Sequence, residues 1–264
     1  MLRNALKIDR QINVMNCKIA VLAGVGIDWE GSACRVETPY GSVPAKIVDL
    51  NGWEVIFILR HGECHLPPHR VNYRANLCAI RKLGKERVIS INTVGTMSWH
   101  ALGSFFIPYD FVEFTKARPN TFFDERAVHV DMKSPYCPEL RSALLDATRS
   151  SGFDPGEGVY VCAEGPHLES PAQIRMMRNF GDVVGMTGYP EVVLARELKL
   201  CYASFCIVAN LASGMDRDAF SLSKLVSTAN QMKQNVFQIV ARAISKIPEE
   251  RSCYCKDALL EAKL

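Results

Sequence analysis

Short apolar runs rich in β-branched residues alternate with longer stretches whose apolar positions recur at helical spacing, and the alternation continues without a compositional break. The clearest unit spans Asp182 to Asn210. Val183 to Met186 reads as a strand, and Thr187-Gly188-Tyr189-Pro190 reads as a turn opening a helix, with Pro190 in its first turn and Glu191 behind it. Val192, Val193, Leu194 and Leu198 give that helix an apolar face, and Tyr202 to Val208 forms a second strand that stops at Asn210. If both strands run parallel, Met186-Thr187 and Asn210 share a carboxyl edge, where α/β proteins bind ligands. Taken alone, a capping Thr187 and a turn-forming Asn210 explain the same unit.

The remaining chain repeats the theme of strands with polar exits. Lys18 to Leu22 is a strand running into Ala23-Gly24-Val25-Gly26-Ile27, a Gly-rich turn whose N–H groups can close around an anion. Thr38-Pro39-Tyr40-Gly41 is a turn; Trp53 to Leu59 is a buried strand leaving at Arg60-His61-Gly62. Pro68 precedes a helix from about His69 to Leu83, closed by Gly84. Arg87 to Ile91 is a strand leaving at Asn92-Thr93-Val94-Gly95. Thr96 to Arg126 has aromatic pairs but no clean period, and reads as short strands and an active-site loop. Next come a helix from Pro138 to Ser151, a strand from Gly158 to Ala163, and a helix from Pro171 capped by Ser170. Glu169 stands just before that helix, where the macrodipole favours a carboxylate. An amphipathic helix from Ser221 to Ile247 closes the core. The pattern predicts an α/β fold: one domain over 1–264, with a core of about 18–247, short terminal extensions, and a mixed central sheet flanked by helices.

Composition narrows the function classes. A net charge of +3 with 22% charged residues, and no Lys/Arg block with interleaved aromatics, argues against a nucleic-acid partner. No apolar run approaches the roughly 18 residues of a membrane span. The N-terminal stretch lacks an apolar h-region and carries Asp9, so a cytoplasmic protein is expected. His61, His65 and His69 recur every four residues, but Pro67 and Pro68 forbid the helix that would align them, so no zinc site is expected there. His129, between Val128 and Val130, reads equally as a buried structural histidine or a site residue. Of ten cysteines, Cys17, Cys78, Cys162, Cys201 and Cys206 fall in or beside apolar runs and read as reduced core residues. Cys253-Tyr254-Cys255 lies outside the last helix, open to a redox or metal role or to simple solvent exposure.

Several motifs, in order and spacing, carry a family resemblance. ETPYG (Glu37–Gly41), RHGECHLPPHRVNYRAN (Arg60–Asn76), GPHLES (Gly165–Ser170) and VGMTGYPEVVLARELKLCYA (Val184–Ala203) resemble the trimeric purine nucleoside phosphorylases, most closely the methylthioadenosine/methylthioinosine branch. The resemblance covers roughly residues 18 to 245. It implies a homotrimer, with a hexamer left open, whose sites lie near subunit interfaces. The implied reaction is nucleoside plus inorganic phosphate giving free base and pentose 1-phosphate, with no metal or organic cofactor. It implies that Gly24, Val25, Arg60, His61, Asn92, Thr93 and Thr187 surround phosphate, Met186 lies against ribose, and Asn210 bonds N7 of the departing base. Asn210, Thr187 and His61 are the implied catalytic residues, and His129 and His65 would face the 5′ end, His129 across the trimer interface.

Hydrogen-bond types then choose the base. A 6-oxopurine offers an acceptor at O6 and a donor at N1; a 6-aminopurine offers the reverse. Ionised Glu169 only accepts and suits an N1 donor, while the Asn210 amide can both donate and accept. Adenine-directed relatives carry aspartates at the positions of Asn210 and Ala212. The expected substrates are therefore 5′-methylthioinosine first, then inosine and guanosine. One departure stands out: family members place a hydroxyl residue where this chain has Val25, and Glu63 adds negative charge near Arg60. Two rivals follow, a purine nucleosidase using water and a catalytically weak nucleoside-binding homologue.

Overall fold

The computed structural model describes residues 15–216, 221–260 and 262. The N-terminal stretch read for a signal peptide lies almost wholly outside these. A ten-stranded mixed sheet runs through the protein, with strands β1 (Met15–Ala23), β2 (Ser32–Thr38), β3 (Gly41–Leu50), β4 (Trp53–Leu59), β5 (Arg87–Thr96), β6 (Phe105–Phe106), β7 (Asp110–Phe114), β8 (Val159–Ala163), β9 (Val183–Gly185) and β10 (Cys201–Leu211). The order is β2-β3-β4-β1-β5-β9-β8-β7, with β10 also paired to β5 and carrying β6. Helices α1 (Tyr73–Lys82), α2 (Pro138–Ser150), α3 (Pro171–Met177), α4 (Gly188–Glu197) and α5 (Leu222–Lys246) complete the fold.

Because strand side chains alternate faces, each central strand feeds two cores. On one face Val21, Phe57, Ile89, Ile91, Ala203 and Phe205 pack with Leu140 and Leu144 of α2 and Val236, Ile239 and Val240 of α5. On the other, Ala20, Leu22, Ile56, Ile58, Val88 and Tyr202 meet Leu77 and Ile80 of α1 and Val192 and Leu194 of α4. Among the described residues no helix is long and apolar enough to cross a membrane.

Strand β5 organises the topology. Its first half pairs in parallel with β1 from Ile19↔Arg87 to Ala23↔Ile91. At Ala23 β1 turns away, and beyond it β5 takes β9 as a neighbour at Gly95↔Val184. On its other edge β5 runs parallel to β10 throughout, with a bulge between Val208 and Asn210 that sets Asn210 opposite Gly95. The expectation of parallel strands at 183–186 and 202–208 is thus corrected: β9 is antiparallel to β5, so it opposes β10. Thr187 and Asn210 approach one another because both strands flank Gly95, not because they share a carboxyl edge. Helix α1 also starts later than His69. Pro68–Arg70 forms a short 3-10 turn and Val71 is extended, so the helix begins at Tyr73 with the Asn72 side chain accepting from the Ala75 amide.

The buried centre contains an ion pair. Arg60, just past β4, donates from Nε to Glu191 Oε1 at 2.5 Å and from Nη2 to Oε2 at 3.2 Å, and both side chains are fully buried. Ser90 and Tyr202 donate to Oε2 at 2.8 and 2.9 Å. Burial works against the guanidinium charge, but the Glu191 carboxylate outweighs it and raises the Arg60 pKa further. Glu191→Ala strands a buried cation and should lower the unfolding free energy by about 3–5 kcal/mol, measured by urea denaturation. The double variant Arg60→Met/Glu191→Leu should recover most of that loss; a loss under about 1 kcal/mol for the single change would show the pair to be unimportant.

Candidate active site

Where β1 leaves β5 and β9 joins it, the sheet opens into a cavity of about 340 Å³. Gly24 and Val25 follow β1, Arg60 and His61 follow β4, Thr93 and Gly95 belong to β5, and Val184 to Thr187 continue β9. Asn210, Ala212 and Ser213 enter from the end of β10, Glu169 from the loop before α3, and Leu222 and Leu225 from the start of α5. A cavity at a strand divergence is expected: the backbone edges that separate there are free to meet a ligand.

The Arg60 end is donor-rich but nearly charge-compensated. Beyond Glu191, Arg60 donates from Nη1 to the Ile91 carbonyl at 3.1 Å and from Nη2 to Ser90 Oγ at 2.5 Å, so four of its five N–H groups are engaged. The Gly24 amide donates to the same Ile91 carbonyl at 3.1 Å, which sets the Gly-rich loop directly beside the guanidinium. His61 Nδ1 lies 2.7 Å from the Leu66 carbonyl, which can only accept, so Nδ1 carries the proton. Burial and then the Arg60 charge push the His61 pKa down, leaving Nε2 an acceptor in a neutral ring. Glu63 does not line this cavity; it pairs with Arg35 at 3.4 Å on the exposed surface.

Thr187 is held in place from two sides. Its hydroxyl donates to Asn92 Oδ1 at 3.1 Å, while its amide and that of Gly188 donate to the buried Tyr160 hydroxyl at 3.3 and 3.2 Å. Asn92 is itself buried and donates to Ser204 Oγ at 2.5 Å. Asn92 therefore stands behind Thr187 rather than on the cavity wall. Met186 is positioned by Arg118, whose guanidinium donates to the carbonyls of Met186, Ala163 and Glu164 and so ties together the ends of β8 and β9. Gly165 takes φ +63°, and any Cβ there would strike Met186 Sδ.

Polar groups at the opposite end are only partly satisfied by the protein. Glu169 is only 7% exposed, and its Oε1 has no hydrogen-bond partner. Burial raises its pKa above the ordinary glutamate value, partly countered by its own amide and by His167. An orphaned carboxylate oxygen on a cavity wall asks for a donor from a ligand. Asn210 donates from Nδ2 to the Leu211 carbonyl at 2.8 Å, leaving Oδ1 and one N–H. A Cβ on Gly95 would come within 3.0 Å of Asn210 Nδ2, so glycine there makes room for the amide.

Of the residues expected from sequence, Gly24, Val25, Arg60, His61, Thr93, Glu169, Met186, Thr187, Asn210 and Ala212 line one cavity. His65 stands outside it, stacked on His61 with ring centres 6.2 Å apart. His129 is exposed, not buried, and also lies outside; its amide donates to the Ala262 carbonyl at 2.7 Å. The sequence pattern does not mark Glu191, Arg118 or Tyr160 as residues that shape the site. Glu191 reads as an ordinary first-turn acid, and nothing local in the sequence marks the contacts of the other two.

The sequence profile of the phosphorylase superfamily matches residues 18–245. A probable S-methyl-5′-thioinosine phosphorylase from Methanosarcina acetivorans is 49% identical over 91% of this chain and 95% of its own. A 6-oxopurine nucleoside phosphorylase from Pyrococcus furiosus is 43% identical over 92% and 97%. The crystal structure of a methylthioadenosine phosphorylase from an Antarctic soil metagenomic library superposes with a TM-score of 0.84 at 30% identity, covering 96% of this chain and 93% of that one. With that profile spanning most of the chain and such relatives aligned nearly end to end, this chain belongs to the phosphorylase superfamily.

Proposed function

We propose that the protein is a 6-oxopurine nucleoside phosphorylase acting first on 5′-methylthioinosine, with inosine and guanosine next, and that it works as a homotrimer without a cofactor in the reaction. The observation that carries the base assignment is the unpartnered, buried Glu169 Oε1 on the same cavity wall as Asn210. N1–H of a 6-oxopurine supplies the missing donor; the N1 lone pair of adenine would face the carboxylate and leave both unpaired. Asn210 offers Oδ1 to a protonated N7 and its remaining N–H to O6. Relatives named for S-methyl-5′-thioinosine and for 6-oxopurine nucleosides support the same choice.

At the other end, a phosphate oxygen attacks C1′ as the N-glycosidic bond breaks. The bonding pair passes to the purine, and the net proton lost by hydrogen phosphate ends on the base, the P–O–H first donating a hydrogen bond to His61 Nε2, which passes the proton on and finishes neutral. Met186 and the apolar wall hold the ribose between them. Phosphate would sit among the Gly24-Val25 main chain, Thr93, Thr187 and the last Arg60 N–H, with the neutral His61 Nε2 accepting the proton of hydrogen phosphate. Without a hydroxyl at Val25, and with the Thr187 hydroxyl already donated to Asn92, this subsite favours weak phosphate affinity. The exposed His129 supports a role beyond this subunit's own cavity, at the 5′ end of a neighbour's nucleoside.

An assay of methylthioinosine, inosine, guanosine and methylthioadenosine, each with and without phosphate, tests the proposal. Phosphate should be required, and the oxopurines should be preferred. Full-rate cleavage in phosphate-free buffer to an unphosphorylated sugar would make the protein a nucleosidase, and tight purine binding with no turnover would make it a binding protein. Val25→Thr should lower KM for phosphate about ten- to a hundredfold, the equivalent of one hydrogen bond to a charged group. Because ionised Glu169 is the stronger acceptor for N1–H, and protonation turns one of its oxygens into a donor, kcat/KM for inosine should fall toward acid through a pKa raised above the usual 4.5. Glu169→Gln should remove that acid limb and narrow the preference for oxopurines over adenosine; an unchanged profile would show that Glu169 does not touch the base.

A further inference from the structure

Four of the ten cysteines converge far from any role in the cavity. The Sγ atoms of Cys137, Cys201, Cys253 and Cys255 all lie within 4.8 Å of one another, and all four residues are buried. Cys201 and Cys253 approach to 3.4 Å, and no pair is bonded as a disulfide. Of the alternatives the sequence leaves open for Cys253-Tyr254-Cys255, the burial of both cysteines removes simple solvent exposure. The four come from three separated segments: Cys137 caps the start of α2, Cys201 opens β10, and near the C-terminus Cys253 precedes, and Cys255 lies within, a 3-10 turn over Tyr254–Asp257. None lines the cavity.

We infer that these cysteines form a structural tetrathiolate site for zinc, held outside the catalytic chemistry. A tetrahedron with Zn–S bonds of about 2.3 Å has S···S edges of about 3.8 Å, so the Cys201–Cys253 edge must lengthen slightly from 3.4 Å while the longest separations, no more than 4.8 Å, shorten by about 1 Å at most. Four buried thiols with no open position and no carboxylate or imidazole among them match a closed, soft-metal site. Binding converts four thiols and Zn²⁺ into a zinc tetrathiolate centre of charge −2 with release of four protons, and no oxidation takes place. The Cys137 sulfur sits at the N-terminus of a 13-residue helix, where the macrodipole favours a thiolate. Glu139 adds opposing negative charge nearby, accepting from the Ser252 and Cys253 amides at 2.8 Å, and Arg87 lies 3.9 Å from its other oxygen. The site would staple the C-terminal segment to the sheet. That segment in turn supports the stretch carrying His129, through Tyr254 Oη donating to the Ser134 carbonyl at 3.0 Å and the Ala262 carbonyl accepting from the His129 amide at 2.7 Å.

The test is metal analysis of the full chain purified under reducing, oxygen-free conditions from zinc-supplied cells. About one zinc per chain is expected, released on titration of the thiols with an organomercurial. Exchange into cobalt should give the intense visible bands of tetrahedral thiolate coordination. Cys255→Ser should lose the metal while Cys64→Ser, an exposed cysteine outside the cluster, keeps it. Far-UV circular dichroism separates metal loss from misfolding, and cobalt titration of the wild type decides the matter if the variant does not fold. A zinc-free chain with all ten thiols titratable, or one with four thiols missing as two disulfides, overturns the inference.

Discussion

The Arg60–Glu191 ion pair is the constraint on which the site depends. It joins the exit of β4 to the first turn of α4, and through Ser90 and Tyr202 it reaches β5 and β10. These elements supply or border the walls of the cavity. A buried pair is not by itself a source of large stability, because desolvation offsets much of the attraction. What it supplies is position. The guanidinium is fixed by four acceptors, and the Gly24 loop rests beside it on a shared Ile91 carbonyl. The same neutralisation leaves this end of the cavity with little net positive charge, so the phosphate proposed to bind there would be held by aimed hydrogen bonds more than by charge attraction.

The cavity's two ends are built on opposite principles. Around Thr187 nearly every polar group already has a protein partner, through Asn92, Ser204 and Tyr160, so its geometry is set before any ligand arrives. Around Glu169 and Asn210 the polar groups are incomplete. An unsatisfied buried carboxylate is a standing cost to the folded protein, and a ligand with the complementary donor removes it. In the proposed function the unpaired end selects the base, while the pre-bonded end holds the reacting centre.

Much of this was legible in the residue pattern. Apolar runs and helical spacing located the five helices and the strands β1, β4, β5, β8, β9 and β10, with Trp53–Leu59 found to the residue and the cap of α3 read from Ser170; the more polar β2 and β3 were marked only by the turn between them. The polar groups at Arg60-His61, Thr93, Thr187 and Asn210 do meet in one cavity: Thr93 lies on β5, Thr187 and Asn210 come from β9 and β10 on its two edges, and Arg60-His61 follow β4, which pairs with β1 where β1 leaves β5. Strand direction was not legible: three residues of β9 carry no signal of which way they run, and the antiparallel pairing comes from long-range packing. Glu191, Tyr160 and Arg118 escaped for a similar reason, since their partners lie 131, 27 and 68 residues away and nothing in the local sequence points to them. The four-cysteine cluster needs three distant segments to fold together, and spacing alone showed only its Cys-x-Cys fragment. Asn92 looked like a cavity residue because its neighbour Thr93 is one; alternation along β5 sends the two side chains to opposite faces.

The central claim is that the Glu169–Asn210 wall recognises a 6-oxopurine while the Gly24–Thr187 end holds phosphate. A crystal structure with hypoxanthine and phosphate bound together measures it most directly. Glu169 Oε1 is expected within hydrogen-bond distance of N1, Asn210 against N7 and O6, and phosphate between the Gly24-Val25 main chain and Thr187. A base whose N1 faces away from Glu169, or phosphate settling elsewhere, would contradict it.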